Sequence, residues 1–206
     1  MENKPSAILI EPMYLPPVVF YKTIKNCKRL HLEQKEFYRK STYRNRCYLP
    51  TANGVRMLSV PLQKGKNENT AMQDVKICYQ QNWQKEHWKM ICFLYRRSPF
   101  FEFYENDFQK IFETEFEKLL DWNVALMQLI FEKLNWKIEI EFTENFENEI
   151  SDLDDFRNKI SPKNDELSLL DLPKYHQVFE DKNGFKNNMS MLDLLFCEGS
   201  NASNFT

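Results

Sequence analysis

Glycine is nearly missing. The chain holds four among 206 residues, so no Gly-rich loop can bring its backbone up to a phosphate. Histidine is scarce as well: His31, His87 and His176 stand too far apart for the ligand spacing of a zinc site. The five cysteines (Cys27, Cys47, Cys78, Cys92, Cys197) are odd in number and form no CxxC or CxxH pair. Reduced, cytosolic thiols are the simplest expectation. Purely apolar runs last only a few residues, which excludes a membrane-spanning helix. The opening MENKPSAILIEPMY starts acidic and is broken at Glu11-Pro12, unlike a signal peptide. A net charge of -2 and a pI near 6.0 lack the footprint of a duplex binder. These absences predict a cytoplasmic chain with no membrane span, no nucleic-acid partner, no metal and no cofactor.

What is present is material for a core. Apolar residues make up 42% of the chain and aromatics 15%, with 17 Phe, 9 Tyr and 4 Trp, which rules out wholesale disorder. Charge is unevenly spread. From Tyr21 to Lys66 there are 12 basic and 2 acidic residues; from Glu102 to Asp155 there are 4 basic and 16 acidic. Such blocks either dock on each other as complementary layers or leave a basic face for an anionic ligand.

The patterning predicts an α/β fold in a single domain over 1–206. Ala7–Glu11 reads as a buried strand, Val18–Ile24 as a short helix behind Pro16 and Pro17, and Lys28–Glu33 as a second strand. The mixed sheet therefore begins with a β-α-β unit. Arg46–Pro50 and Val55–Leu62 follow as a hairpin with Asn53-Gly54 at its turn, and Asp74–Cys78 as a further short strand. Helices are expected from the Asn82 cap to Ser98-Pro99, over Asp107–Leu120 and over Trp122–Leu134, with a strand at Lys137–Phe142. The central and C-terminal helices would cover the sheet. The acidic stretch 145–171 is expected to be flexible and the tail 200–206 frayed. Ser190-x-x-Asp193 reads as a capping box with Asp in place of Glu, opening a short amphipathic helix stopped by Gly199.

Candidate chemistry concentrates between Glu33 and Arg46. Arg44 and Arg46 would project to one face of an extended stretch, with Asn45 opposite, and two guanidinium forks suit phosphate or carboxylate. Glu33 and Glu36 could orient them or serve as bases. The alternative is a solvated basic edge strand. His87, on an apolar helical stripe, is either a hydrogen-bonded core residue or a group that moves a proton. Cys47 beside Arg46 reads as a structural thiol, Asp193 as a helix cap and Glu198 as a surface charge.

The blocks MYLPPVVFY, KEFYRKSTYRNRC, LSVPL, NWQKEHWKMICFLYRRSPFFEFY, DFRNKISPK, PKYHQVF and MSMLDLLFCEG, in this order, resemble the WbqC-like family in the shorter form of Bacteroidetes-type bacteria. Longer members often carry His and Gln just before the YLP motif, where this chain reads Ile10-Glu11, so no role of that His carries over. The resemblance implies a part in surface-polysaccharide (O-antigen) biosynthesis. It singles out Tyr38, Lys40, Tyr43, Arg44, Asn45, Arg46, His87, Tyr95, Asp193 and Glu198. The expectation is then a transferase for an activated anionic substrate, a nucleotide sugar or acyl donor. Tyr38, Lys40, Arg44, Asn45, Arg46 and Tyr95 would bind the substrate and His87 would be catalytic. The rival is a non-catalytic binding or scaffold protein that docks an acidic partner on the basic block.

Overall fold

Four short parallel strands, in the order Glu139–Phe142, Arg29–Leu32, Ala7–Ile10 and Asp154–Asp155, set the frame of the molecule. A computed structural model describes residues 7–65, 67–147, 153–163 and 172–206. Strand β1 (Ala7–Ile10) is wholly buried, as its unbroken apolar run requires between two covered faces. Helix α1 (Val18–Ile24) carries the chain to β2 (Arg29–Leu32), which pairs with β1 from Ala7↔Arg29 to Ile10↔Leu32. Strand β5 (Glu139–Phe142) joins the outer side of β2, and the two-residue β6 (Asp154–Asp155) joins the free side of β1. The expected α/β fold with a β-α-β start is present. Parallel and antiparallel pairings fall into two separate sheets, however, because β3 (Arg46–Thr51) and β4 (Gly54–Ser59) pair only with each other.

Several boundaries differ from the expectations for local reasons. The hairpin turn centres on Ala52-Asn53, one residue earlier than Asn53-Gly54 would place it, and Gly54 takes a positive φ of 114° as the first residue of the return strand. Asp74–Cys78 is no strand. Met72–Asp74 forms a 3-10 turn, and Lys76 and Ile77 make single bridges to Lys118 and Leu62 without building a ladder. Helix α2 (Trp83–Tyr95) follows Asn82, whose side chain makes no cap bond. Helix α3 (Phe101–Glu113) starts six residues before Asp107 and stops early. The Tyr79 hydroxyl receives the Phe116 N–H and donates to the Phe116 carbonyl, while Leu119 N–H goes to Val75. With those groups taken, the helix can restart only as α4 (Leu119–Lys133).

The acidic stretch 145–171 is not uniformly without structure. Residues 153–163 supply β6 and pack Ile160 into the core; 148–152 and 164–171 lie outside the described residues. After α5 (Glu180–Asn183) comes α6 (Met191–Glu198), in which every residue from Met191 to Cys197 is buried. It is a core helix with apolar surface all round rather than an amphipathic one. Phe196 meets Tyr95, Phe101, Tyr104 and Phe108 on one side of it. The tail is not frayed either: Gly199–Phe205 forms a 3-10 helix, with Trp136 Nε1–H donating to Ser203 Oγ and Phe205 against Tyr175. Among the described residues no helix is long and apolar enough to cross a membrane.

Gly199 ends α6 with φ +60°, and a Cβ there would meet the Phe100 ring at 2.5 Å. Gly199→Ala combines left-handed strain with overpacking and should cost roughly 1–3 kcal/mol, lowering Tm by several degrees. Gly184 has a similar φ of +67° with nothing within 4 Å. Gly184→Ala should therefore lose only the strain, about 1 kcal/mol. Equal melting shifts in the two variants would show that Phe100 yields.

Candidate functional site

Because the four strands are parallel, their carboxyl ends share one edge, and each delivers a polar residue there. Glu11 follows β1, Glu33 follows β2, Thr143 follows β5, and Arg157-Asn158 follow β6. The chain leaves β1 for β2 on one side while β6 arrives on the other, so the strand order reverses beside Glu11. In open parallel sheets the crevice at such a reversal is where ligands bind.

These residues form one charged network with the segment after β2. Arg44, 1% exposed, donates from Nε and Nη2 to Glu36 Oε1 at 2.8 and 2.5 Å. Its Nη1 lies 3.4 Å from Glu11 Oε1, and Nη2 also reaches Asn158 Oδ1 at 3.0 Å. Glu11 Oε2 accepts the Asn158 N–H. Glu33 is fully buried and accepts from Arg157 Nη1 at 3.0 Å, Thr143 Oγ1 and the Lys35 N–H. Arg157 also forks onto Asp155. Carboxylates outnumber guanidiniums here, with Glu11, Glu33, Glu36 and Asp155 facing Arg44 and Arg157. The consequence falls on Glu36. Burial lifts its carboxyl to about 7, outweighing the pull of Arg44, and the charges of Glu11 and Glu33 add to the rise. Both bonds from Arg44 land on Oε1, and among the described residues Oε2 takes no hydrogen bond and is not fully enclosed. Glu36 is thus a buried carboxyl oriented through one oxygen, with its proton affinity raised.

The expected site residues are distributed around this network rather than gathered in one pocket. Arg44 is committed to carboxylates inside the protein and is not a free fork. Asn45 ties the hairpin, donating from Nδ2 to the Val60 carbonyl at 2.9 Å. Lys40 sits on the surface in a 2.7 Å ion pair with Glu68. The Tyr43 carbonyl accepts the Tyr14 N–H. Arg46 is half-buried, and its Nε is enclosed without any partner among the described residues. Tyr38 stands beside it: burial raises the phenol's pKa, while the Arg46 and Arg44 charges, in that order, pull it down.

His87 lies elsewhere. Its Nδ1 is hydrogen-bonded to the Tyr14 hydroxyl at 2.9 Å and its ring rests on Tyr14 and Trp83. Burial lowers its pKa to about 4, so it is neutral at pH 7. The Tyr14 hydroxyl also meets the buried Cys47 thiol. Cys47 therefore faces inward to Tyr14 and His87, and its neighbour Arg46 takes the other face of β3.

Tyr95 and Asp193 form a third group. The Asp193 side chain does not cap α6, since the Ser190 N–H goes instead to the Tyr48 carbonyl and only Ser190 Oγ caps, receiving the Leu192 N–H at 3.4 Å. The Asp193 carboxylate is fully buried and accepts from the Tyr95 hydroxyl at 3.0 Å, Tyr175 hydroxyl at 2.6 Å and Gln177 Nε2 at 2.7 Å. Desolvation raises it to about 6 against those three donors. Glu198 is half-buried at the end of α6.

The parts of Arg157 and Asn158 escape sequence reasoning, because a strand of two residues in an acidic stretch has no period to read, and Thr143, though it follows a legible strand, has no local signal of its partner Glu33. Glu11 has a signal, a charge at the end of an apolar run, but nothing local shows its partner. Among the described residues no three His, Cys, Asp or Glu side chains converge as metal ligands do.

The depressed pKa of His87 fixes a direction of pH dependence. In the unfolded chain the imidazole titrates near 6.5 and in the folded one near 4, so the unfolded state binds more protons between these values. Stability is present in full above 6.5 and falls as pH drops towards 4, by about 3 kcal/mol for this group. The raised carboxyls of Glu36 and Asp193 act with the opposite sign, losing stability as pH rises. His87→Gln can keep the bond to Tyr14 but not the titration. Urea denaturation at pH 7 and pH 4 should show a smaller acid loss in the variant than in the parent. Parallel profiles would contradict a buried neutral imidazole.

A family model described as the WbqC-like protein family matches residues 11–162, more than half of the chain. No curated protein and no solved structure matches it.

Proposed function

The chain belongs to the WbqC-like protein family, and from that premise we propose that it is a transferase acting on an activated anionic substrate at the carboxyl edge of its parallel sheet. The family's link to polysaccharide biosynthesis supports the class of reaction, with a nucleotide sugar or an acyl donor as the substrate. The observation that carries the reading is Glu36, a carboxyl with a pKa of about 7, oriented by Arg44 and open at Oε2. A general acid-base group works best with its pKa near the operating pH. Glu36 meets that condition and His87, at about 4, does not. The proton-transfer role expected of His87 therefore moves to Glu36. His87 holds Tyr14 and the loop between β1 and α1 in place.

Arg46 is the anion-binding group. Its enclosed, unpartnered Nε is a donor without an acceptor, which is unfavourable unless a ligand supplies one. Tyr38 lies within the field of both Arg46 and Arg44. An acceptor hydroxyl activated by Glu36 Oε2 would attack the activated carbon or acyl group, and the anionic leaving group would depart with its charge held by Arg46. Glu33, Arg157 and Asn158 keep Glu36 and Arg44 in register and do not touch substrate. The rival scaffold reading loses ground, because Arg44, the most deeply set cation of the basic block, is spent inside the protein.

A thermal-shift screen against nucleotide sugars and acyl-CoAs tests this reading, because a ligand of the native state raises Tm. Arg46→Ala should abolish the stabilisation, losing roughly 1.5–3 kcal/mol of charge-assisted hydrogen bonding. Arg46→Lys should weaken it, since a point charge does not replace a planar fork. Glu36→Gln should keep binding and lose roughly 10²–10⁴-fold in turnover of the ligand so identified. Unchanged binding in both Arg46 variants would leave Arg46 a solvated edge cation.

A further inference from the structure

A concavity lies away from the sheet edge. It is an open cleft of about 1290 Å³ between the C-terminal half of α2, the β3–β4 turn, α3 and the segment carrying α5. None of Glu11, Glu33, Glu36, Arg44 or Arg46 lines it. Its walls carry Lys89, Arg96, Arg97 and Lys182 against a single carboxylate, Glu105, in a protein whose net charge is -2. Part of this charge has a local explanation. Arg96 and Arg97 stand at the negative end of α2, where cations are favoured, and Arg96 pairs with Glu105 at 3.7 Å. Lys182 likewise stands in the last turn of its own short helix. It comes from α5, an element unrelated to the end of α2, yet lines the same space. Among the described residues neither Arg97 nor Lys182 has an ion pair or a side-chain hydrogen bond, and both are exposed.

The same wall holds an apolar surface out to solvent. Phe93, on the outward side of α2, is 80% exposed, while Trp88 one turn before it packs inward on Phe101 and Phe112. A phenyl ring left in water beside unpaired cations suits a ligand with a flat ring and an anionic tail. We propose that this cleft binds a phosphorylated ligand bearing a planar ring, a nucleoside diphosphate in kind, with its phosphates towards Arg97 and Lys182 and its ring on Phe93. A space of this size admits such a molecule with room for a further group attached to the phosphate. The inference does not depend on the role given to Glu36 and Arg46.

Calorimetric titration of the full chain with ADP and with pyrophosphate tests it. ADP should bind roughly tenfold more tightly than pyrophosphate, the share contributed by stacking of one base, and Phe93→Ser should erase that difference. The double variant Arg97→Glu with Lys182→Glu should weaken both ligands tenfold or more. All three positions are exposed, so these variants should fold, and an unchanged Tm without ligand checks this. Failure of either anion to bind at millimolar concentration overturns the proposal, as does ADP binding that survives the double charge reversal. Loss of ADP binding in Arg46→Ala alone would assign the nucleotide to the sheet edge and leave the cleft without a ligand.

Discussion

The neutralisation of one buried guanidinium organises the carboxyl edge of the sheet. Removing an arginine from water costs several kcal/mol unless its charge and donors are met in place. Arg44 is met by carboxylates at the end of β1 and in the segment after β2, and by the Asn158 amide oxygen beyond β6. Its own carbonyl accepts from Asn123 of α4 at 2.8 Å. Three stretches thus close on its side chain and a fourth on its backbone. None of them could leave without stranding a charge, which explains why a strand of only two residues, β6, keeps its place on β1.

The same network holds more carboxylates than guanidiniums, since Arg157 also meets Asp155. Glu33 is balanced by Arg157, and Glu11 shares Arg44 with Glu36. A proton on Glu36 is the least expensive remedy, and its raised affinity follows from burial beside like charges. Asp193 offers a comparison. It too is raised, to about 6, yet three donors occupy it. At Asp193 the rise records the cost of tying α2, α6 and the segment before α5 together.

Helix α2 distributes these regions around its axis. His87 faces the Tyr14 and Cys47 core, Tyr95 reaches Asp193, and Lys89, Phe93 and Arg97 line the outer cleft. His87 and Tyr95 are eight residues apart, about 12 Å along the axis, so they belong to different neighbourhoods despite lying on one helix. The buried tyrosines keep their protons, since desolvation raises Tyr14 and Tyr95 well above the ordinary phenol value. They act as fixed hydrogen-bonding groups.

Local chemistry was enough to read much of the fold. The apolar run at β1, the prolines before α1, the alternation at β2 and β5 and the stripes of α2 and α4 each follow from period and neighbouring residues. So do Ser190 as a cap and Gly199 as a stop. The charge blocks and the weight of the Glu33–Arg46 segment were equally visible. What local chemistry could not supply was partnership. Arg44 and Arg46 are two residues apart and equally basic, yet one is enclosed by carboxylates and the other keeps an unpartnered Nε, a difference decided by Glu11 and Asn158 from far along the chain. Asp193 has the right spacing for a cap, but Tyr95, Tyr175 and Gln177 take its carboxylate, because a buried charge goes to the donors that surround it in space. The sequence by itself determined which residues are charged, apolar or turn-forming. Only the tertiary structure decided which charges cancel and which carboxyl is left holding a proton, because Coulombic and desolvation energies depend on distance and burial rather than on order along the chain.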